Sequence, residues 1–202
     1  MKLVVATTNP NKVRELSQVL VGFEVVGLHE LGVDLPEPVE DADSFEGNAR
    51  IKALAYAAAL NLRCVAEDSG LEVDALHGAP GVHSARYAGV DGAREAKDRA
   101  NNEKLLRELG ATRDRAARFV CAMCLVDADG TILFETRGTY DGVIVRGTAD
   151  DPPRGDNGFG YDPLLFIPEL GKTSAELSPA EKNARSHRGQ AARALAAFLQ
   201  RL

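Results

Sequence analysis

The sequence predicts an α/β protein built on a mixed sheet. Two observations carry that prediction. Short apolar runs alternate with segments of helical periodicity, the pattern of βα units layered on a sheet. Farther along, "ARFVCAMCLV" and "ILFETRGTYDGVIV" flank the turn "DADG", the pattern of an antiparallel hairpin.

The elements follow in order. Residues 2 to 6, "KLVVA", read as a short buried strand, and "TTNPNK" is the polar loop after it. Asn9 suits an N-cap and Pro10 the first helical position; Val13, Leu16 and Leu20 then recur at helical spacing. "LPEPVEDADS" is an acidic, proline-bearing loop, and "FEGNARIKALAYAAAL" is an alanine-rich helix. "RCVAE" is a strand ending in "EDSG", with "LEVDAL" as a second short strand. "HGAPGVHSARYAG" is a glycine-rich loop, and residues 91 to 109 carry helical spacing. After the hairpin, a long loop over 147 to 160 leads to "FGYDPLLFIP". The last segment, "SPAEKNARSHRGQAARALAAFLQRL", is a helix opened by a capping box of Ser178 and Glu181, with Pro179 at its first position. There is no repeat, low-complexity tract or clear linker.

Composition narrows the function classes. The chain has 202 residues, 45% hydrophobic and 27% charged, enough for one domain or two tightly joined lobes with a real core. A net charge of −6 argues against a nucleic-acid-coating protein. The apolar run in "MKLVVATTN" is too short for a signal peptide, and nothing approaches the roughly 18 apolar residues of a membrane span. The three cysteines, Cys64, Cys121 and Cys124, suggest reduced thiols in a cytoplasm. Cys121 and Cys124 form a C-x-x-C, but inside a strand residues three apart face opposite sides, so the pair reads as structural.

Four constellations bear on chemistry. "ATTNPNK" places a helix N-terminus and Lys12 after a strand, a disposition that suits phosphate, although many such junctions bind nothing. "AEDSGL" sets Glu67 and Asp68 side by side; hard oxygens there suit Mg²⁺, or Asp68 and Ser69 simply begin a turn. The acidic loop with Glu37, Glu40, Asp41, Asp43 and Glu46 is a solvated face, or one member completes a metal site with Asp68. Lys172, Lys182, Arg185, His187 and Arg188 form a local reversal of sign, able to hold a polyanion or a base carbonyl. The loop "GFGYDP" adds a flat ring, Phe159, among glycines. A nucleoside triphosphate meets all of these needs.

"ATTNPNKVREL", "SFEGNARIKA", "AEDSGLEVDALHGAPGVHSARYAG", "GFGYDPLLFIPELGKTSAEL" and "EKNARSHRGQA", in order over nearly the whole chain, resemble the inosine triphosphate pyrophosphatase family. These enzymes clear non-standard purine nucleoside triphosphates from the nucleotide pool. The resemblance implies one domain over residues 1–202: an elongated mixed sheet with flanking helices, two lobes and a central substrate cleft. It implies a homodimer, and Mg²⁺-dependent hydrolysis between the α- and β-phosphates to a nucleoside monophosphate and pyrophosphate.

By resemblance, Thr7, Thr8, Asn9, Pro10, Asn11 and Lys12 hold the triphosphate. Asp68 is the catalytic carboxylate and, with Glu40, a metal ligand, while Ser69 touches substrate. Phe159, Gly160, Tyr161 and Asp162 form the base-binding loop, with Phe159 stacking. Lys182, His187 and Arg188 complete the nucleotide site, the "SHRG" donors reading a carbonyl at C6. Two departures stand out: Thr8 occupies a position usually glycine, and Glu67-Asp68 replaces paired aspartates. The alternatives are a septum-inhibitor-like pyrophosphatase of other specificity, disfavoured by "SHRG" with "FGYDP", and a non-catalytic nucleotide sensor or RNA-binding module.

Overall fold

The computed structural model describes residues 2–33 and 35–202. Among the described residues seven strands lie in one mixed sheet, β2-β1-β3-β4-β5-β6-β7. The strands are β1 (Lys2–Val5), β2 (Glu24–Gly27), β3 (Cys64–Val73), β4 (Ala116–Val126), β5 (Ile132–Ile144), β6 (Leu165–Ile167) and β7 (Lys172–Thr173). The α-helices are α1 (Pro10–Val19), α2 (Phe45–Leu60), α3 (Arg94–Leu109), α4 (Pro179–Arg185) and α5 (His187–Leu199). β1 runs parallel to both β2 and β3, whereas β5–β6 and β6–β7 are antiparallel. The parallel pairs are reached through helical crossovers, as the alternating periodicities require.

The chain divides into two compact units, the first comprising residues 1–69, 121–138 and 185–202 and the second residues 70–120 and 139–184. Each has its own core. In the first, Leu16 and Leu20 of α1 pack with Leu3 and Val5 of β1 and with Leu195 and Leu199 of α5. Full burial of each such leucine contributes on the order of 2 kcal/mol. α2 is different: Ala49, Ala53 and Ala57 recur every fourth residue, all buried. Alanine there lets the helix lie close while keeping high helix propensity. In the second unit, Leu105 and Leu109 of α3 meet Leu71, Val73, Phe119, Tyr161 and Leu164.

Three local expectations change. "RCVAE" and "LEVDAL" are not two strands: "EDSG" continues through the middle of β3. Asp, Ser and Gly favour turns in isolation, but β3, paired with β1 at Cys64 and Val65, runs on past the end of β1 beside its other neighbour β4, and sheet pairing overrides local preference. The third helix begins at Arg94 rather than residue 91. The last helix is two. The Ser178–Glu181 capping box forms, with Ser178 N–H donating to Glu181 Oε2 at 2.8 Å and Glu181 N–H to Ser178 Oγ at 3.3 Å. α4 then stops at Arg185, and Ser186 caps α5 by accepting from Gly189 N–H at 3.1 Å. Between them lies the "SHRG" segment.

Candidate active site

Alternation along an unbroken β3 decides what each neighbouring residue can touch. Glu67 and Ser69 point to one face, and Asp68 points to the other. On the Glu67 face, Arg188 Nε donates to Glu67 Oε2 at 2.9 Å, Nη1 to Glu15 Oε2 at 2.6 Å and Nη2 to Ser69 Oγ at 3.0 Å. Lys12 Nζ sits 3.2 Å from Glu67 Oε1, and Cys121 donates its S–H to Glu67 Oε2 at 2.8 Å. Arg188 and Glu67 are each only 2% exposed. Burial alone would raise Glu67, but Arg188 and Lys12 outweigh it and hold the carboxyl well below the usual range. Burial likewise works against the Arg188 charge, and Glu67 and Glu15 reverse the balance, pushing its pKa up. Glu67 is therefore a fixed anion that orders cations. The Arg188 guanidinium, expected to meet a base carbonyl, is held among protein carboxylates instead, because two acidic side chains face it in a dry site.

On the opposite face Asp68 meets α2. Ser44 caps that helix by accepting from Gly47 N–H, and Asn48 and Lys52 follow one turn apart. Lys52 Nζ lies 3.1 Å from Asp68 Oδ1 and 2.8 Å from Glu40 Oε2. Asn48 Nδ2 donates to Asp68 Oδ2 at 3.3 Å. Burial raises the pKa of Asp68; Lys52 and Lys12 oppose that, Glu40 adds to it, and the net shift is upward. Burial would lower Lys52, but Asp68 and Glu40 win and hold it protonated. Lys52 was absent from the residues singled out in the sequence. Its signal was there: a serine cap followed by Asn48 and Lys52 on one helical face.

Of the acidic loop, Glu40 is the residue that joins Asp68 at a shared cation. Glu37 instead accepts from Thr8 Oγ1 at 2.7 Å, and Glu46 pairs with Arg137 at 2.9 Å. Asn9 caps α1, its Oδ1 accepting from Asn11 N–H at 3.0 Å, and Thr7 Oγ1 accepts from Asn9 N–H at 3.2 Å. Thr8 and Pro10 are exposed, while Thr7, Asn9, Asn11 and Lys12 are half-buried.

The second unit carries the "GFGYDP" loop. Asp162 is 2% exposed and organises it. Its Oδ2 accepts from Phe159 N–H at 2.8 Å and pairs with Lys182 Nζ at 2.6 Å, while Oδ1 accepts from Ser174 Oγ at 2.7 Å. Gly158 has φ +80°, and a Cβ there would strike the Asp162 carboxylate, so glycine is needed on both counts. Tyr161 was expected in the base-binding set, but its ring belongs to the core and its hydroxyl donates to Ser84 O at 2.9 Å. The half-buried Phe159 ring is left, with the Arg94 guanidinium 4.5 Å and Lys182 Nζ 5.2 Å from its centroid. His187, 5% exposed, opens α5 in the first unit.

The donor set fits Mg²⁺. The Lys52 ammonium stands where oxygens of Glu40 and Asp68 converge, a place already built for a cation. Among the described residues no three His, Cys, Asp or Glu side chains cluster as a protein-only cage. Mg²⁺ asks for less: one or two carboxylates, with phosphate oxygens and water completing the shell. The C-x-x-C is not a metal motif: Cys121 serves Glu67, and burial, then Glu135, pushes the Cys124 thiol up to about 11.

In this mixed-sheet α/β protein, adjacent buried carboxylates are each met by a lysine, Glu67 by Lys12 and Asp68 by Lys52, with Glu40 as a second acidic partner of Lys52. The Ham1 family's sequence model matches residues 3–198, and the chain belongs to that family. It is 51% identical to a dITP/XTP pyrophosphatase of Exiguobacterium sp. over 199 residues, 98% of this chain and 96% of that protein. It is 48% identical to the dITP/XTP pyrophosphatase of Thioalkalivibrio sulfidiphilus, covering 99% of each. The fold is similar to that of the Staphylococcus aureus Ham1 protein, with a TM-score of 0.84 and 42% identity over 99% of this chain and 98% of that one. A HAM1 protein from Coxiella burnetii matches with a TM-score of 0.85, 38% identity and full coverage of both chains.

Proposed function

We propose that this protein hydrolyses non-standard purine nucleoside triphosphates, ITP, dITP and XTP, to the nucleoside monophosphate and pyrophosphate, with Mg²⁺. The observation that carries the reading is the split across β3. Glu67 is neutralised by Arg188 and Lys12, which leaves Asp68 as the carboxylate facing Lys52 and Glu40. Family membership and the names of the relatives support the substrate class.

The slow step in water is attack on a polyanion that repels its nucleophile. Lys12 and Lys52 offset that charge, and Thr7 to Asn11 offer hydroxyl, amide and backbone groups to the phosphates. Asp68 orients the attacking water and takes its proton at a carboxylate oxygen; help of this kind is worth about 10² to 10⁴-fold. Glu40 and Asp68 would hold the metal, which when bound would supply charge neutralisation for the polyanion. Ser69 Oγ accepts from Arg188, which leaves its O–H to donate to a substrate oxygen. Phe159 stacks on the base, with Lys182 and Asp162 setting its loop. Reading of the C6 carbonyl is assigned to His187 and the first-turn N–H groups of α5, since the Arg188 guanidinium is engaged elsewhere.

The homodimer belongs to the same proposal, and sedimentation should report twice the 21.6 kDa of one chain. A cytoplasmic setting is supported by three free, buried cysteines, and no described helix is long and apolar enough to cross a membrane. The deciding experiment is a panel of ITP, dITP, XTP, GTP and ATP with Mg²⁺, scored for pyrophosphate. Release from the first three, with ATP strongly excluded, is the expected result. Binding without turnover would make the protein a sensor, and release of orthophosphate would place the cleavage elsewhere.

A further inference from the structure

We propose that α3 carries a positioning device for base recognition: Asp98 and Asn102 clamp the backbone of Gly160 and so set the Phe159 ring. This rests on the functional reading above. Asp98 Oδ2 accepts from Gly160 N–H at 2.9 Å, and Asn102 Nδ2 donates to Gly160 O at 3.1 Å. The two side chains are four residues apart, hence stacked on one face of α3. Arg94, one turn earlier, continues that stripe, its guanidinium 4.5 Å from the Phe159 centroid and its Nε 3.8 Å from Asp98 Oδ2.

Gly160 needs holding. Its φ is +62°, and a Cβ there would meet nothing within 4 Å, so glycine serves conformation rather than space. Glycines 155, 158 and 160 all sit at positive φ, and a loop so composed has many alternatives when unrestrained. Asp162 fixes the Phe159 N–H from one side; α3 fixes both polar groups of the next residue from the other. The ring between is thereby presented in one pose. A stacking surface ordered before binding spares the ligand that ordering cost, so losing the clamp should weaken substrate capture while leaving phosphoryl chemistry intact. Asp98 and Asn102 touch backbone and not substrate, which makes them positioning residues.

The test compares Asp98→Ala and Asp98→Asn with wild type, by steady-state ITP hydrolysis and by amide hydrogen exchange over residues 155–165. Asp98→Ala should raise KM about tenfold, the equilibrium worth of one charged hydrogen bond, with kcat within about threefold. Exchange at the loop should quicken. Asp98→Asn keeps an acceptor oxygen and should restore most of both. An unchanged KM, or a fall in kcat with KM constant, would overturn the clamp, as would an Asn variant as impaired as the Ala variant. If wild type itself releases no pyrophosphate from ITP, the functional reading falls, and the exchange data alone then decide the clamp: unchanged loop exchange in Asp98→Ala would overturn it.

Discussion

Glu67 and Asp68 are one peptide bond apart and live in opposite circumstances. The first is 2% exposed and saturated with cations; the second, 7% exposed, faces a lysine it shares with Glu40. Asp68→Asn is nearly isosteric but cannot accept a proton, so turnover should fall at least about a hundredfold while thermal unfolding stays near wild type. Retention of more than a tenth of the rate would remove Asp68 from the base role. Glu67→Gln should act on stability, because it leaves the buried Arg188 charge with Glu15 as its remaining carboxylate. Breaking such a pair costs about 3 kcal/mol, readable as a lower denaturant midpoint. The pH dependence has a definite sign. The folded pKa of Glu67 lies below its ordinary 4.5, so its stabilisation is complete above that value and drains away as pH falls toward the folded pKa. The Gln variant should lack that part of the acid slope; an unaltered slope would remove Glu67 from the acid-sensitive groups.

At the scale of elements, α2 delivers a cation to the carboxylates and α5 begins where the last helix breaks. Lys52→Met leaves Glu40 and Asp68 without their shared ammonium, at a cost of about 3 kcal/mol in the metal-free protein. A divalent ion can replace that charge. Added Mg²⁺ should therefore raise the melting temperature of the variant more than that of wild type, and equal responses would count against a metal site at Glu40 and Asp68. Ser186 is the cap that starts α5 and holds His187 and Arg188 in its first turn. Ser186→Ala should cost about 1 kcal/mol by calorimetry.

For the whole molecule, the proposed mechanism calls for a divalent ion and an ionised base. EDTA should abolish hydrolysis and Mg²⁺ restore it. In the metal-free protein burial raises Asp68, so its carboxyl, followed by NMR titration without Mg²⁺, should titrate above the ordinary aspartate value of 3.8, and titration at or below that value would show that the lysines outweigh burial. Each of the two units carries its own hydrophobic core, yet β3, β4 and β5 belong to both, passing from one to the other at Ser69–Gly70, Val120–Cys121 and Gly138–Thr139. Substitutions in either core should therefore change stability by the ordinary cost of a cavity, about 2 to 5 kcal/mol for a leucine to alanine change such as Leu16→Ala or Leu105→Ala.

Much of this was determined by sequence alone. Periodicity marked β1, α1, α2 and the hairpin, and the Asn9 and Ser178 caps formed as their residue types require, because helix ends must satisfy orphaned backbone groups with whatever side chain is one turn away. The ordered motifs pointed to the family through Asp68, Phe159 and "SHRG". Tertiary structure decided the rest. Turn-forming residues 68–70 were drawn into the middle of β3, beyond the end of β1 and beside β4, and the extended backbone set Glu67 and Asp68 on opposite faces. Nothing local could show that Arg188 lies against Glu15 and Glu67, residues 173 and 121 positions away, or that Tyr161 belongs to the core. Lys52 and the α3 clamp were hidden for the same reason. A helical face is legible in sequence, but what it is packed against depends on contacts between segments far apart in the chain, and those exist only once the chain has folded.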